Sequence, residues 1–296
     1  MNILELHGTS YDTDLSVIRV SGDDSSKFLQ GQFSNDVELA SDNLFQYSTF
    51  STNQGKVIAT LRVLRDKLGF LLITNKDVSD SLIDGLKKYI LMSKVKIEYV
   101  QSNILAKIGK EASDILDKLN LEDNRNLTYR DDTLILNTSK GKIKSCLVIV
   151  LEEKNLDEFI DGEILNVNVG QLIDMLNIFP RLSDDTSESY IPQVLNMEDH
   201  DAINYKKGCY TGQEIVARTH YLGKIKKKLF LCSMESSSNI VDTTKKIHDS
   251  NSEIVGEVFS NCITISANNF FQCVLKINMI DKDLYIDKNK ITIEEL

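Results

Sequence analysis

The sequence has no run of 18 apolar residues, and its first residues, MNILELHGTS, carry no positively charged start leading into an apolar stretch. Neither a membrane anchor nor an export signal is expected, so the expected location is the cytoplasm. It also lacks any CxxC pair: five cysteines, an odd number, stand far apart at 146, 209, 232, 262 and 273. A disulfide framework is excluded and reduced thiols are expected. The four histidines (His7, His200, His220, His248) show no ligand spacing with one another or with the cysteines, which argues against a metal site in one chain. A resident iron–sulfur cluster usually takes about four cysteine ligands, so only a shared or transferred cluster fits. Positive charge is scarce overall: the net charge of −10 argues against indiscriminate nucleic-acid binding. No internal repeat and no long low-complexity tract is visible.

What is present is a globular chain of 296 residues, 42% hydrophobic and 26% charged, enough for a sizeable core and two or three domains. The alternation LSVIRV over Leu15 to Val20 predicts a strand, followed by a turn and a helix opening near Asp24 to Ser26. Val57 to Leu64 and Gly69 to Thr74 predict a hairpin. Asp77 is placed to cap a helix whose stripe is Val78, Leu82, Leu86 and Ile90. Strand-like runs at 95–100, 104–108, 133–136 and 146–151 mix with helix-like stretches near 112–119 and 172–178 without a parallel βαβ rhythm, which favours α+β. After about Phe230 a Ser/Asn/Asp/Thr-rich stretch and short runs at 254–259, 262–266 and 271–277 predict a small all-β terminal domain. Cys146, Cys232, Cys262 and Cys273 all sit in apolar strand-like context and are expected in the core.

Asn204 to Leu229, NYKKGCYTGQEIVARTHYLGKIKKKL, carries the chemistry. Thr211-Gly212-Gln213-Glu214 matches a capping box, so a helix is expected from here, with Gly223 as its left-handed stop. Cys209 then precedes a helix N-terminus and is flanked by Lys206 and Lys207, a placement that favours a reactive thiolate. A buried structural cysteine packed beside Tyr210 is the alternative. From Lys206 to Lys228 seven cations stand against Glu214 alone, a local balance of +6 on an acidic chain. Such a segment suits a polyanion, a folate's glutamate tail or an RNA backbone, or is simply a solvated lysine run. His220 is read as a helix-end cation, more simply a solvated residue. Gln30, Gln32 and Asn35 offer amides that can bind a ligand edge or cap turns.

Lys207 to Arg218, KGCYTGQEIVAR, resembles the signature of the YgfZ-type proteins of the glycine-cleavage T-protein superfamily. The lead-in Tyr190-Ile191-Pro192-Gln193 with Asn196 and Met197, the stretch Ser21 to Val37, Gln54-Gly55-Lys56, and Leu86 to Ile97 are similar to further blocks of that family. The resemblance implies a T-protein-like α+β body over 1–228, with a pseudo-symmetric hollow for tetrahydrofolate or its polyglutamylated form, and a β-barrel over 229–296. It implies support of iron–sulfur cluster assembly or repair, and through it tRNA methylthiolation, with cluster-assembly factors or cluster-bearing client enzymes as partners. Cys209 would act as nucleophile or transient cluster ligand, its charge tuned by Lys207 and Arg218. Ligand-binding positions would be Leu15, Gln30, Gln32, Asn35, Gly170, Gln193, Asn196, Tyr210, Gln213 and Glu214. At Leu15 and Gly170 some relatives place tryptophan, which this chain lacks altogether; Leu176 stands where T-protein relatives have a pterin-binding glutamate. The competing functions are a true aminomethyltransferase acting on tetrahydrofolate and a tRNA-contacting accessory protein using Lys224 to Lys228.

Overall fold

The computed structural model describes residues 5–151, 156–160, 162–235 and 241–295. The first half runs β1 (Gly8–Tyr11), β2 (Leu15–Ser21), α1 (Ser25–Gln30), β3 (Gln46–Ser51), β4 (Val57–Asp66), β5 (Gly69–Asn75), α2 (Ser79–Lys87) and β6 (Lys96–Val100). The second runs β7 (Ser102–Ile108), α3 (Lys110–Lys118), β8 (Leu127–Arg130), β9 (Thr133–Asn137), β10 (Ser145–Leu151) and α4 (Val169–Leu176). After α5 (Gln213–Leu222) come β11 (Lys227–Glu235), β12 (Lys246–Asp249), β13 (Ile254–Val258), β14 (Ile263–Ile265), β15 (Asn268–Lys276), β16 (Leu284–Ile286) and β17 (Asn289–Ile293). The mixture is α+β, as the patterning predicts.

The strands form where they are predicted, and β4 and β5 make the expected hairpin, but β2 is covered on both faces, since its adjacent residues Val17 and Ile18 are both buried. Of the α2 stripe, Val78, Leu82 and Leu86 are buried, but the helix ends at Lys87, so Ile90 lies beyond it and is half-buried. The helix start differs from expectation: Asp77 lies in a 3₁₀ turn, Lys76–Val78, and no side chain caps the helix at Ser79.

Two antiparallel sheets build the body, one ordered β3-β4-β5-β2-β6 and the other β8-β9-β10-β7-β1. Position by position the second repeats the first, with a helix after the first strand of each set and another after the fourth. The chain's opening strand, β1, fills the edge that β6 fills in the first half. This repeat is invisible in the sequence because a strand needs only alternation and length, which two halves can share without sharing residues.

The remaining strands close into a barrel, β11-β17-β16-β12-β13-β15, sealed by β15 against β11, with β14 lying on β15 outside the ring. The barrel thus starts at Lys227. Period-two alternation divides β11: Phe230, Cys232 and Met234 pack into the barrel's own core, while Leu229 and Leu231 join the core of the body. Cys146, Cys232 and Cys273 are buried as expected, but Cys262 is half-exposed. Among the described residues no helix is long and apolar enough to cross a membrane.

Candidate functional site

The signature segment is held by a lysine rather than by a cap. Lys207 sends its Nζ to three backbone carbonyls, those of Gln30 (2.8 Å), Phe33 (2.7 Å) and Asn35 (2.8 Å), at the C-terminal end of α1 and the loop beyond it. The Tyr210 ring covers the same ammonium at 5.2 Å. Burial pulls this ammonium down to about 8. Two further threads run alongside: Asn204 donates from its backbone to Ser34, and the Thr211 amide donates to the Gly31 carbonyl at 3.2 Å.

The expected capping box does not form. Gly212, not Thr211, is the N-cap, and the Thr211 hydroxyl donates instead to Gln32 Oε1 at 3.0 Å. Gly212 has φ +83°, and a Cβ there would stand 2.6 Å from the Thr52 carbonyl and 3.0 Å from Gly55 Cα. A sharp left-handed turn packed on another loop, which only glycine fits, therefore replaces the cap. Glu214 pairs with Arg218 at 2.9 Å on the exposed face of α5. Gly223 is extended (φ −90°, ψ 166°), so it is no left-handed stop.

Cys209 is exposed at the crest of this turn. Lys207 does not serve as a free charge beside it, since its three bonds point into the α1 loop. Arg218 is engaged with Glu214 in solvent. The side chains expected to touch a ligand prove largely committed to the fold. Gln30 bonds Asp36 and the Val37 amide, and both Asn35 amide hydrogens go to carbonyls, those of Tyr47 and Asp201. Gln193 donates to the Val216 carbonyl (2.7 Å) and to the Tyr205 hydroxyl (3.2 Å). Asn196 adopts φ +58° and donates to the Leu229 carbonyl at 2.7 Å. Gln213 is half-buried in the first turn of α5. Three buried polar atoms, Gln193 Oε1, Asn196 Oδ1 and the Tyr210 hydroxyl, find no partner among the described residues.

Leu15 and Gly170 lie elsewhere. Leu15 is buried in β2, and a Cβ on Gly170 would stand 1.9 Å from Asp12 Oδ2, so no larger side chain fits there. Beside them, between α4 and the barrel, is a cavity of about 270 Å³ faced by Asp14, Asp77, Gln171, Phe179, Arg181 and Phe259. No residue of 204–218 lines it. Under it lies an ion network that sequence reading missed. Arg181 bonds Asp12 at 2.7 Å and Asp174 at 2.5 Å, while Arg62 on β4 pairs with the other oxygen of Asp174. Burial works against the Asp12 carboxylate, yet Arg181 beside it holds it below the usual carboxylate range. Burial, then Asp184, Asp14 and Asp185, push Asp77 up. Only folding brings these four ion-network residues together; no local spacing announces them.

His220 is not simply solvated. It stacks on Tyr205 with centroids 3.8 Å apart, and Glu198 joins both rings, 2.7 Å from His220 Nδ1 and 2.6 Å from the Tyr205 hydroxyl.

No family model matches the sequence. The chain is 32% identical over 226 residues to the tRNA-modifying protein YgfZ of Hamiltonella defensa, an alignment covering 73% of this chain and 67% of the relative. To YgfZ of Buchnera aphidicola subsp. Schizaphis graminum it is 32% identical over 231 residues (75% and 72%), and to that of Buchnera aphidicola subsp. Baizongia pistaciae 28% over 292 residues (94% and 90%). Among solved structures, the glycine cleavage system aminomethyltransferase T of Bartonella henselae superposes with a TM-score of 0.72 at 13% identity, covering 98% of this chain and 85% of that one, which establishes the T-protein fold. With this fold, this signature loop and relatives of this identity over most of its length, the chain belongs to the YgfZ family of tRNA-modifying proteins.

Proposed function

We propose that this protein is a tetrahydrofolate-binding accessory factor of iron–sulfur cluster assembly or repair, serving tRNA methylthiolation through the Cys209 thiol. The observation that carries the reading is an exposed cysteine on a turn that Lys207, Thr211 and Gly212 tie to two other loops. A nucleophile or transient metal ligand must be both accessible and fixed, and such a tether lowers the entropy lost when a partner's group is captured.

For tetrahydrofolate, the donor set of the cavity beside the barrel fits. Asp14 and Asp77 can accept from the amino and ring N–H groups along a pterin edge. Bound there, the folate would supply a carrier for one-carbon units on its reduced ring nitrogens. The chain's own part is to orient that edge: Arg181, fixed by Asp12 and Asp174, holds the wall of the cavity in place.

A cell lacking the protein and complemented with Cys209→Ser tests the thiol. The variant is expected to fold with unchanged stability and to leave methylthiolated tRNA at the level of the deletion; full restoration would remove Cys209 from the function. Titration with tetrahydrofolate, monitored by calorimetry, tests the cavity. Binding abolished by Asp77→Asn is expected, and undiminished affinity would place the ligand elsewhere.

A further inference from the structure

A broader groove, about 770 Å³, opens on the other side of the signature segment. Leu39, Leu44 and Ile203 form its apolar wall, and Arg125, Lys206 and His220 face them. Its two carboxylates are already partnered: Glu198 holds Tyr205 and His220, and Asp201 lies 3.5 Å from Arg125. Lys206 is exposed on the rim.

The stacked pair at this rim is a ready-made aromatic ledge. Glu198 fixes both rings, so little side-chain entropy remains to be lost on binding. Tyr221 extends the ledge edge-on, its ring 4.8 Å from His220, and is 66% exposed, with Leu222 84% exposed beyond it. The lysine run starts from the same place. Lys228 reaches Asp199, the neighbour of Glu198, at 3.3 Å, and Lys224, Lys226 and Lys227 stand exposed next to it. Exposed aromatic faces accept a base of any sequence, and ammonium groups on either side accept the flanking phosphates.

We infer that this groove receives one unstacked nucleobase of an RNA strand against the Tyr205–His220–Tyr221 ledge, with Lys206 on one rim and Lys224 to Lys228 on the other taking the adjoining phosphates. The inference rests on the tRNA side of the family reading and names the surface that engages the RNA. A strand is favoured over a free nucleotide because the lysine run continues past the reach of a single phosphate.

The test is fluorescence anisotropy of the full chain with a labelled unmodified tRNA transcript, a single-stranded 8-mer, its duplex, and AMP as competitor. His220→Ala is expected to weaken single-strand and tRNA binding about 10-fold while His220→Phe retains it. Lys224→Glu/Lys226→Glu/Lys227→Glu is expected to weaken binding and to lower the slope of log K against log salt by about 2. In the wild-type protein, 4-thiouridine in the 8-mer is expected to cross-link to Tyr205 or Tyr221, a readout independent of any variant's folding. No RNA binding, binding indifferent to His220→Ala, duplex bound as tightly as single strand, AMP competing as well as the 8-mer, or cross-links outside the groove would each overturn the inference. Cys209→Ser is expected to bind RNA as wild type does, so a failure of the thiol reading shows in tRNA methylthiolation while a failure here shows in anisotropy.

Discussion

Replacing Lys207 by methionine separates two roles for the most informative cation in the signature. The side chain keeps its length and apolar stem but loses the ammonium and with it the bonds to Gln30, Phe33 and Asn35, at 2.7 to 2.8 Å. Hydrogen bonds to a charged group are worth roughly 1.5–3 kcal/mol each, so three give roughly 5–9 kcal/mol gross. Losing the Tyr210 face removes about 0.5–1 kcal/mol more. Against this stands the relief of burying a charge, the burial that pulls the ammonium down to about 8, and water can re-solvate the half-buried Gln30 end. The net expectation is a loss of about 3 kcal/mol in urea unfolding, with hydrogen-exchange protection falling at the Phe33 and Thr211 amides. Lys207→Arg is expected to fail similarly, because a planar fork cannot converge on three carbonyls as an ammonium does. If Lys207 instead tuned the thiol, Lys207→Met would slow iodoacetamide alkylation of Cys209 and leave stability within about 0.5 kcal/mol of wild type, the range of an ordinary surface substitution. That result would refute the strut.

Gly170→Ala puts a methyl 1.9 Å from Asp12 Oδ2 and must displace the Arg181 pair; a loss of about 3–5 kcal/mol is expected in thermal unfolding. His200, packed against Tyr47 and Phe179 and bonded to the Ile178 carbonyl, is pulled by burial from 6.5 down to about 4. Between those values the unfolded chain binds a proton that the folded chain refuses, so stability falls as pH drops through that window, by about 3 kcal/mol in all. His200→Gln should lose that part of the slope, and an unchanged profile would exonerate the histidine. Gly212→Ala forces a left-handed φ on alanine and a contact of 2.6 Å with the Thr52 carbonyl; a loss of at least about 2 kcal/mol and broadened resonances in residues 52–56 are expected. Carbamidomethylation of Cys209 should leave tetrahydrofolate affinity unchanged, and a clear loss would move the ligand to the signature turn.

Patterns that depend on one element were readable. The β4–β5 hairpin and the α2 stripe from Val78 to Leu86 follow from alternation or helical spacing alone, because a buried face dictates its own period. Caps were not. Thr211 has the right neighbours for a capping box, yet Gln32, 179 residues away in the chain, takes its hydroxyl, and Gly212 turns left-handed because the Thr52–Gly55 loop leaves no room for a side chain. Asp77 likewise lost its cap to a 3₁₀ turn and faces the cavity instead. The signature was legible as a unit, but the chemistry assigned to each member was not. Lys207 reads as a charge beside a thiol and is spent on a backbone; Asn35 reads as a ligand contact and holds two carbonyls.

That spending has a consequence for the chemistry. Strand β4 joins the two places: it begins at Val57, just after the loop that packs on Gly212, and carries Arg62 into the ion network under the cavity. Five residue steps at about 3.3 Å carry the strand roughly 17 Å from Val57 to Arg62. Residues 204–218 are absent from the cavity lining and Cys209 is open to solvent, so the proposed thiol chemistry calls for a group brought by another molecule. The order of the signature then makes physical sense as a scaffold: lysine, threonine and glycine give up their polar or conformational freedom to fix one backbone turn, and the cysteine stands exposed on it.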